Sequence, residues 1–348
     1  MTRFVFLLFV VAACPGCLVH HWSATPDGKV IAGYAEKSIV VADGDFKPLE
    51  TYAAPGKPAI VEISPDGKWV VYNTEDANEL WLIDRAAKSQ KKIAADAGIY
   101  LYNAWSPASN RFAFVQKARK DDPMAGLLRV YNVKTGESFT ALEDSSPAYG
   151  WTPSGDALFA VQLYGLQSEG ETHFGRLVLW TDGEKPAVLA HVAEMAFVEA
   201  VSEDEVLFTS AIATLPTAPH ADAFKSLPFG LFRASRAAGT VVRLGTSEIA
   251  WFTLSPDRKR MLSMVIERPE GASEMKVHLE LADAGGKTVR VLKESSAYEK
   301  SGPLLPLWLG NGTALVPLGE AETRRFERVD VESGAATDVT ETVKGWAK

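Results

Sequence analysis

Cysteine is nearly missing from this chain: 348 residues contain two, Cys14 and Cys17, both at the end of the first apolar stretch. The rest of the sequence has no disulfide to brace it and no thiolates for a structural metal. Its fold must stand on burial, for which 47 % hydrophobic residues supply the material. Histidine is sparse as well, at six: His20, His21, His173, His191, His220 and His278. Only His20 and His21 are adjacent, and neighbours on a strand point to opposite faces, so the pair does not chelate one ion. Asp43-Gly44-Asp45 lacks the further carboxylates of a calcium loop and reads as a turn. No metal site and no cofactor are expected.

Other absences narrow the function. There is no Gly-x-Ser-x-Gly elbow, no Gly-x-x-x-x-Gly-Lys-Ser/Thr loop, no Gly-x-Gly-x-x-Gly turn and no His-Glu-x-x-His. The sequence signatures of α/β-hydrolases, P-loop NTPases, dinucleotide-binding units and zinc peptidases are thereby missing. Helical periodicity is nowhere sustained over the ~12 residues that an amphipathic helix needs. Positive charge is not in excess, with 36 Lys+Arg against 44 Asp+Glu and a net charge of −8. The nearest basic cluster, Lys117-Ala118-Arg119-Lys120, runs straight into Asp121-Asp122 and reads as a solvated loop. Nucleic acid is not an expected partner.

What the sequence does have is a recurring phrase. Thr25-Pro26-Asp27-Gly28-Lys29, Ser64-Pro65-Asp66-Gly67-Lys68 and Ser255-Pro256-Asp257-Arg258-Lys259 are its clearest copies. Ser106-Pro107-Ala108-Ser109-Asn110 and Thr152-Pro153-Ser154-Gly155-Asp156 are looser, and Ser202-Glu203-Asp204-Glu205 and Gly310-Asn311-Gly312-Thr313 are decayed. Aligned on positions 26, 65, 107, 153, 203, 256 and 311, they are 39, 42, 46, 50, 53 and 55 residues apart. Proline presets φ for the first corner of a type I turn, Asp suits the second, and Gly accepts the positive φ that follows.

Each turn joins two strand-like runs, and two more follow. In the second copy these are Ala59–Ile63, Lys68–Tyr72, Leu80–Asp84 and a run near Lys91–Ala94, rich in β-branched and aromatic residues. Later units repeat the third run as Leu128–Asn132, Leu177–Trp180, Gly230–Arg233, Val277–Leu281 and Phe326–Asp330. Four short strands per unit at a period of ~40–50 residues predict an all-β fold, a β-propeller of seven four-stranded blades, with six or eight also open. An all-β sandwich with repeated turn chemistry is the competing architecture.

These residues resemble the TolB-type, WD-repeat-like propeller of bacteria. Trp105-Ser106-Pro107 and Trp151-Thr152-Pro153 match its aromatic-Ser-Pro start, and Leu80–Asp84 its third strand. The resemblance covers nearly everything after residue 20. It implies a scaffold, a protein-binding module or an enzyme accessory domain, since the motif residues are turns and not ligand contacts.

The N-terminus suggests a compartment. One positive charge, the apolar run Phe4–Ala13 and small residues after it read as a secretory signal, too short for a spanning helix of ~20 residues. Val11-Ala12-Ala13-Cys14 resembles a bacterial lipobox, with Cys14 as the lipid-bearing residue and Cys17 as the alternative; an unlipidated signal cut nearby is the simpler option. Residues 1–17 are thus expected to be a signal with lipobox and 18–348 a single propeller domain. Pro15, in place of Asp, follows Cys14, and by resemblance to bacterial sorting this favours the periplasmic face of the outer membrane.

Two regions are candidate binding sites. The loops between second and third strands lengthen along the sequence, from Lys117 to Gly126, Tyr164 to Gly175 and Ala211 to Phe229. Long loops on a rigid scaffold are where binding concentrates. Lys117, Arg119, Lys120, His173, Leu215, His220, Phe224 and Phe229 are their candidate contacts, with a packed cover over the disc as the plainer reading of the longest loop. The other region is the central channel, faced by inner-strand residues that include Tyr102–Trp105, Tyr149–Trp151, Glu199, Trp251 and Trp308. Its aromatics read first as packing between blades. Blade one is expected to take its inner strand from Leu18–Ser23, or else from Val343–Trp346.

A non-enzymatic, envelope-anchored scaffold that binds an unidentified protein or peptide is the leading functional expectation. A channel enzyme of the lactonase or cyclase kind, using a metal or carboxylates, and a purely structural envelope protein are the alternatives. The lipobox reading has a direct test. Cys14→Ala is expected to move the protein from the membrane to the soluble fraction on cell fractionation, and a variant that stays with the membrane refutes lipid attachment at this residue.

Overall fold

The strand runs read from the sequence are buried on both faces, and this organises the whole molecule. In Trp69–Thr74, Val70 and Tyr72 pack towards Ala32, Ile39 and Val41 of the preceding unit, while Val71 packs towards Phe112 and Phe114 of the following one. Side chains alternate across a strand, so a sheet sandwiched between two others needs apolar residues at consecutive positions. The run Trp-Val-Val-Tyr meets that need.

The computed structural model describes residues 22–75, 78–99, 103–117, 126–166, 173–193, 197–216, 229–267, 276–294, 305–319 and 324–344. The first sheet consists of β1 (Trp22–Ala24), β2 (Val30–Ala35), β3 (Ser38–Asp43) and β4 (Pro48–Ala53). The second is β5 (Pro58–Ile63), β6 (Trp69–Thr74), β7 (Leu80–Asp84) and β8 (Ser89–Ala94). Next come β9 (Ala97–Gly98), β10 (Arg111–Lys117), β11 (Gly126–Asn132), β12 (Ser138–Trp151), β13 (Ala157–Leu166), β14 (His173–Thr181) and β15 (Ala187–Ala193). With β18 (Ile212–Thr214) they form one eight-stranded sheet. A four-stranded sheet of β16 (Val198–Ala200), β17 (Glu205–Ser210), β19 (Gly230–Ser235) and β20 (Thr240–Leu244) follows. The last two are β21 (Glu248–Leu254), β22 (Arg260–Glu267), β23 (Lys276–Asp283) and β24 (Thr288–Lys293), then β25 (Leu307–Trp308), β26 (Thr313–Leu318), β27 (Arg325–Asp330) and β28 (Ala336–Asp338). A short helix, α1 (Thr340–Lys344), ends the described residues. This is an all-β propeller, as expected, built of antiparallel sheets in sequence order.

Two departures from the expected pattern stand out. The eight-stranded sheet exists because β12 serves two units. Its first half pairs with β11 (Tyr131↔Ser138, Gly126↔Ser145), and its second half pairs with β13 (Tyr149↔Ala160, Trp151↔Leu158). The outer strand of one unit thus runs without a break into the inner strand of the next. The loops predicted from Tyr164 to Gly175 and from Ala211 to Phe229 are also shorter than expected. Leu166 pairs with His173 within the β13–β14 ladder, and Ile212–Thr214 adds a fifth strand beside β15. Both corrections have one cause: hydrogen-bonding edges that extend beyond the apolar pattern, which the side chains alone do not reveal.

The repeated turn is explained atom by atom. In three copies the Ser/Thr hydroxyl donates to the Asp carboxylate at 2.7 Å (Thr25–Asp27, Ser64–Asp66, Ser255–Asp257). The same carboxylate oxygen accepts from the Lys29, Lys68 or Lys259 N–H at 3.1–3.2 Å. The hydroxyl of Thr25 and the amides around Lys29 hold the Asp27 carboxyl down at about 2. Gly28 and Gly67 sit at φ +68° and +71°. In the looser copy Ser154 takes the place of Asp and accepts from the Asp156 N–H at 3.1 Å. The Asp43–Asp45 segment is likewise a turn, its Asp43 carboxylate accepting from the Asp45 and Lys47 amides.

No sheet among the described residues mixes strands from the two ends of the protein. β1 takes the inner place in the first sheet, consistent with the Trp22–Ser23 part of the expected segment, while Val343 of the alternative segment lies in α1. The ring closes by packing. Ile31, Val40, Ala42 and Phe46 meet Leu315, Phe326 and Val343, and the Trp22 and Phe326 rings lie 4.8 Å apart, edge to face. Gly28 is the tightest point of this seam, because a Cβ there would sit 2.7 Å from the Leu309 backbone. At Gly183, with φ +76°, a Cβ would meet nothing within 4 Å. Gly183→Ala is therefore expected to cost roughly 1 kcal/mol, the left-handed backbone penalty. Gly28→Ala adds roughly 1–3 kcal/mol for the forced seam. Denaturant unfolding of the two variants checks this, and equal losses would show that the seam is not closely packed.

Candidate functional site

An inner strand has one hydrogen-bonded edge in its own sheet and one edge turned to the axis. The free edge needs partners. Here the neighbouring sheet supplies them through side chains. Ser23 Oγ accepts from the Ile63 N–H at 2.7 Å, Glu62 Oε2 from the Ala104 N–H at 2.9 Å, and Glu199 Oε2 from the Leu254 N–H at 2.9 Å. Indoles serve the carbonyls in return: Trp105 Nε1 donates to Glu62 O at 3.2 Å, Trp151 to Ala104 O at 2.8 Å and Trp308 to Thr253 O at 3.4 Å. The aromatic before each Ser/Thr-Pro turn is thus a link between sheets, as the sequence suggested.

The turns themselves are linked at the rim. The Asp66 N–H donates to Ser109 Oγ (3.0 Å), the Ser154 N–H to Glu203 Oε1 (2.7 Å) and the Asp257 N–H to Asn311 Oδ1 (2.9 Å). Inside this rim lies a cavity of about 580 Å³, bordered by Pro26, Pro65, Pro107, Pro153 and Pro256 and walled by Trp105, Trp151 and Trp308. Its volume falls in the range of small-molecule and peptide side-chain pockets. Ser23, Glu62, Asn103, Glu199, Thr253 and Arg258 bring polar groups to it.

Two of these groups are perturbed carboxyls. Burial pushes both Glu62 and Glu199 up to about 7, against the single backbone amide that each accepts. Glu199 is also pulled down by Thr253 and by the charge of Arg258. Glu62 is 6 % exposed, and its Oε1 has no hydrogen-bond partner among the described residues. A serine performs the same edge contact at Ser23 without a charge, so the carboxyls exceed what the edge requires.

Arg258 is the third unusual group. It stands where Gly28, Gly67 and Gly155 stand in other copies, and it keeps their left-handed backbone at φ +59°. Its guanidinium crosses to two other units, donating from Nη1 to Ala200 O (3.0 Å) and from Nη2 to Trp151 O (3.3 Å).

Of the residues expected from sequence, Glu199, Trp105, Trp151 and Trp308 border the cavity, whereas Trp251 is core, 1 % exposed. The predicted loop contacts fall elsewhere. Lys117 ends β10 at the far end from the Arg111 turn, and Leu215, 37 % exposed, follows β18. Phe229 is 6 % exposed and belongs to the interior, so it offers no contact surface. Arg119, Lys120, His220 and Phe224, the side chain of His173, and both Cys14 and Cys17 lie outside the described residues. Sequence reasoning missed Glu62 and Arg258. Their signals were a carboxylate inside the apolar run Ala59–Ile63 and an arginine in a glycine's place.

The raised carboxyls fix a pH dependence. Each is ordinarily near 4.5 and stands near 7 in the fold, so the native state holds protons that the unfolded state has released. Stability therefore falls as pH rises from about 4.5 to about 7, by at most on the order of 3 kcal/mol for each group. Lowered carboxyls such as Asp27 act only at lower pH and leave this window untouched. Denaturant midpoints are expected to be lower at pH 8 than at pH 5.5, with Glu62→Gln removing part of the difference. An unchanged difference in that variant would refute the burial of Glu62 as its source.

No protein-family model and no curated protein sequence matches the chain. Solved structures do. An oligogalacturonate lyase from Vibrio parahaemolyticus is 12 % identical over 92 % of each chain, with a TM-score of 0.61. The β-propeller domain of the trilobed protease from Pyrococcus furiosus, for which an open velcro topology is reported, is 14 % identical over 93 % of this chain and 95 % of that one, with a TM-score of 0.59. TolB from Acinetobacter baumannii is 13 % identical over 89 % of this chain and 77 % of its own, with a TM-score of 0.49. At these identities the likeness is one of fold, and the fold it shows is the β-propeller.

Proposed function

We propose that this protein is an envelope-anchored propeller that acts by binding, taking a segment of a protein or peptide into its axial funnel without catalysing a reaction. The observation that carries this reading is the cavity itself: about 580 Å³, open on the proline rim, with indoles and a few polar groups on its wall. Rigid aromatic walls with sparse, placed polar groups suit the side chains and backbone of an extended segment. Cys14 would hold the protein at the periplasmic face of the outer membrane, and β1, the first described strand, starts beside the funnel.

A second reading, a channel enzyme, is favoured by Glu62 and Glu199, since carboxyls near 7 suit proton transfer. Against it, each already accepts a backbone N–H from the next sheet, and neither histidine nor cysteine borders the cavity among the described residues.

A photo-crosslinking residue in place of Pro107, on the rim, is expected to form an adduct that maps to one defined peptide segment of a partner in intact cells. The same residue in place of Leu215 is expected to give none. Adducts from Leu215 alone would overturn the funnel in favour of the opposite face.

A further inference from the structure

Arg258 occupies a position that the fold reserves for residues tolerant of a left-handed backbone. Gly28, Gly67 and Gly155 take it at φ +68°, +71° and +76°, and Ser109 at +57°. A long, Cβ-bearing side chain is disfavoured there, so an arginine kept in this conformation points to a use for its head group. The head group is also unusually placed. It lies largely buried, and burial draws it below the usual arginine range, yet among the described residues no carboxylate forms an ion pair with it. Glu199 and Glu203 act on it only at longer range, and Glu203 is already engaged by the Ser154 N–H and hydroxyl.

The partners Arg258 does have are neutral. Two carbonyls, Ala200 O and Trp151 O, take one N–H each and fix the plane of the guanidinium. A guanidinium has five N–H donors, so three remain beyond these two bonds. The side chain borders the cavity. On the same wall, the Asp257 carboxylate is committed to the Ser255 hydroxyl and the Lys259 N–H, at 2.7 and 3.2 Å. A partly desolvated cation held by neutral acceptors lacks a counter-charge, and a planar fork already fixed in orientation is matched by a carboxylate.

We propose that Arg258 anchors a carboxylate of the ligand, either a peptide's C-terminus or an Asp or Glu side chain, within the axial funnel. This rests on reading the funnel as a peptide-binding site. Arg258→Gly gives the turn the residue found in its other copies and so is expected to fold at least as stably as the parent. Arg258→Asn, which also tolerates a left-handed backbone, is the second variant.

The probes are N-acetyl-tetraalanine with a free C-terminus, its C-terminal amide, and N-acetyl-Ala-Asp-Ala-Ala amide, with acetate as a bare carboxylate. Binding is followed by calorimetry on the whole protein, and thermal unfolding is recorded in parallel. One or both carboxylate-bearing peptides are expected to bind about tenfold or more tightly than the neutral amide. The free acid identifies a C-terminus as the source and the Asp peptide a side chain. Both variants are expected to abolish that preference at unchanged or raised thermal midpoint. Equal binding of all three peptides, or a preference that survives in both variants, overturns the anchor and leaves the funnel reading intact. Acetate binding that depends on Arg258, with no peptide bound, keeps the anchor and overturns the peptide reading. Failure of every probe overturns the anchor.

Discussion

The free edge of each inner strand is the constraint on which the rest of this molecule depends. A sheet in a ring gives its second strand one side of the first and leaves the other side facing the axis, where backbone amides and carbonyls would stand without partners. The protein resolves this sideways. Ser23, Glu62 and Glu199 take amide protons from the following sheet, and Trp105, Trp151 and Trp308 give indole protons to the carbonyls of the preceding one. These bonds set the angular spacing of the sheets, and with it the width of the space they surround. The same side chains that complete the scaffold therefore furnish the wall of the cavity, so scaffold and site share their residues.

That overlap explains what the sequence made legible. The turns were readable because their chemistry is local: Ser64, Asp66, Gly67 and Lys68 satisfy one another within five residues. The double-sided burial of β6 was readable for the same reason, since consecutive apolar residues in a strand put apolar groups on both of its faces. Glu62 and Arg258 were not, because their meaning lies 42 to 107 residues away, in Ala104 for one and in Ala200 and Trp151 for the other. Nothing in Ala-Ile-Val-Glu-Ile says that the carboxylate reaches an edge in another sheet. The emphasis on long loops followed a sound rule about where binding concentrates, but a turn too short to attract notice, repeated around an axis, builds a funnel by symmetry. The pairing of β18 with β15 was hidden for a further reason: a three-residue strand at a sheet's edge carries no periodicity to detect.

Arg258 shows how a repeat protein acquires an individual feature. The copies of the turn are interchangeable as scaffold, and six of them do nothing beyond joining strands and bonding to a neighbouring turn. The seventh substitutes one residue without altering the backbone path, and a guanidinium then enters the axial space from the rim. A ring of near-identical parts is in this way given a direction, because one sector now differs in charge from the others.

The unbroken course of β12 has a mechanical consequence. Two units that share a continuous strand and one hydrogen-bonded ladder system resist rotation against each other, since any tilt must bend that strand or tear its bonds. The first and last units are joined only by side-chain contact, with no ladder across them. Compliance is thus distributed unevenly around the circle, with a splint on one side and a gap held shut by interlocking surfaces on the other. When the disc breathes, it opens at the gap, and the aperture at its centre widens from that side first.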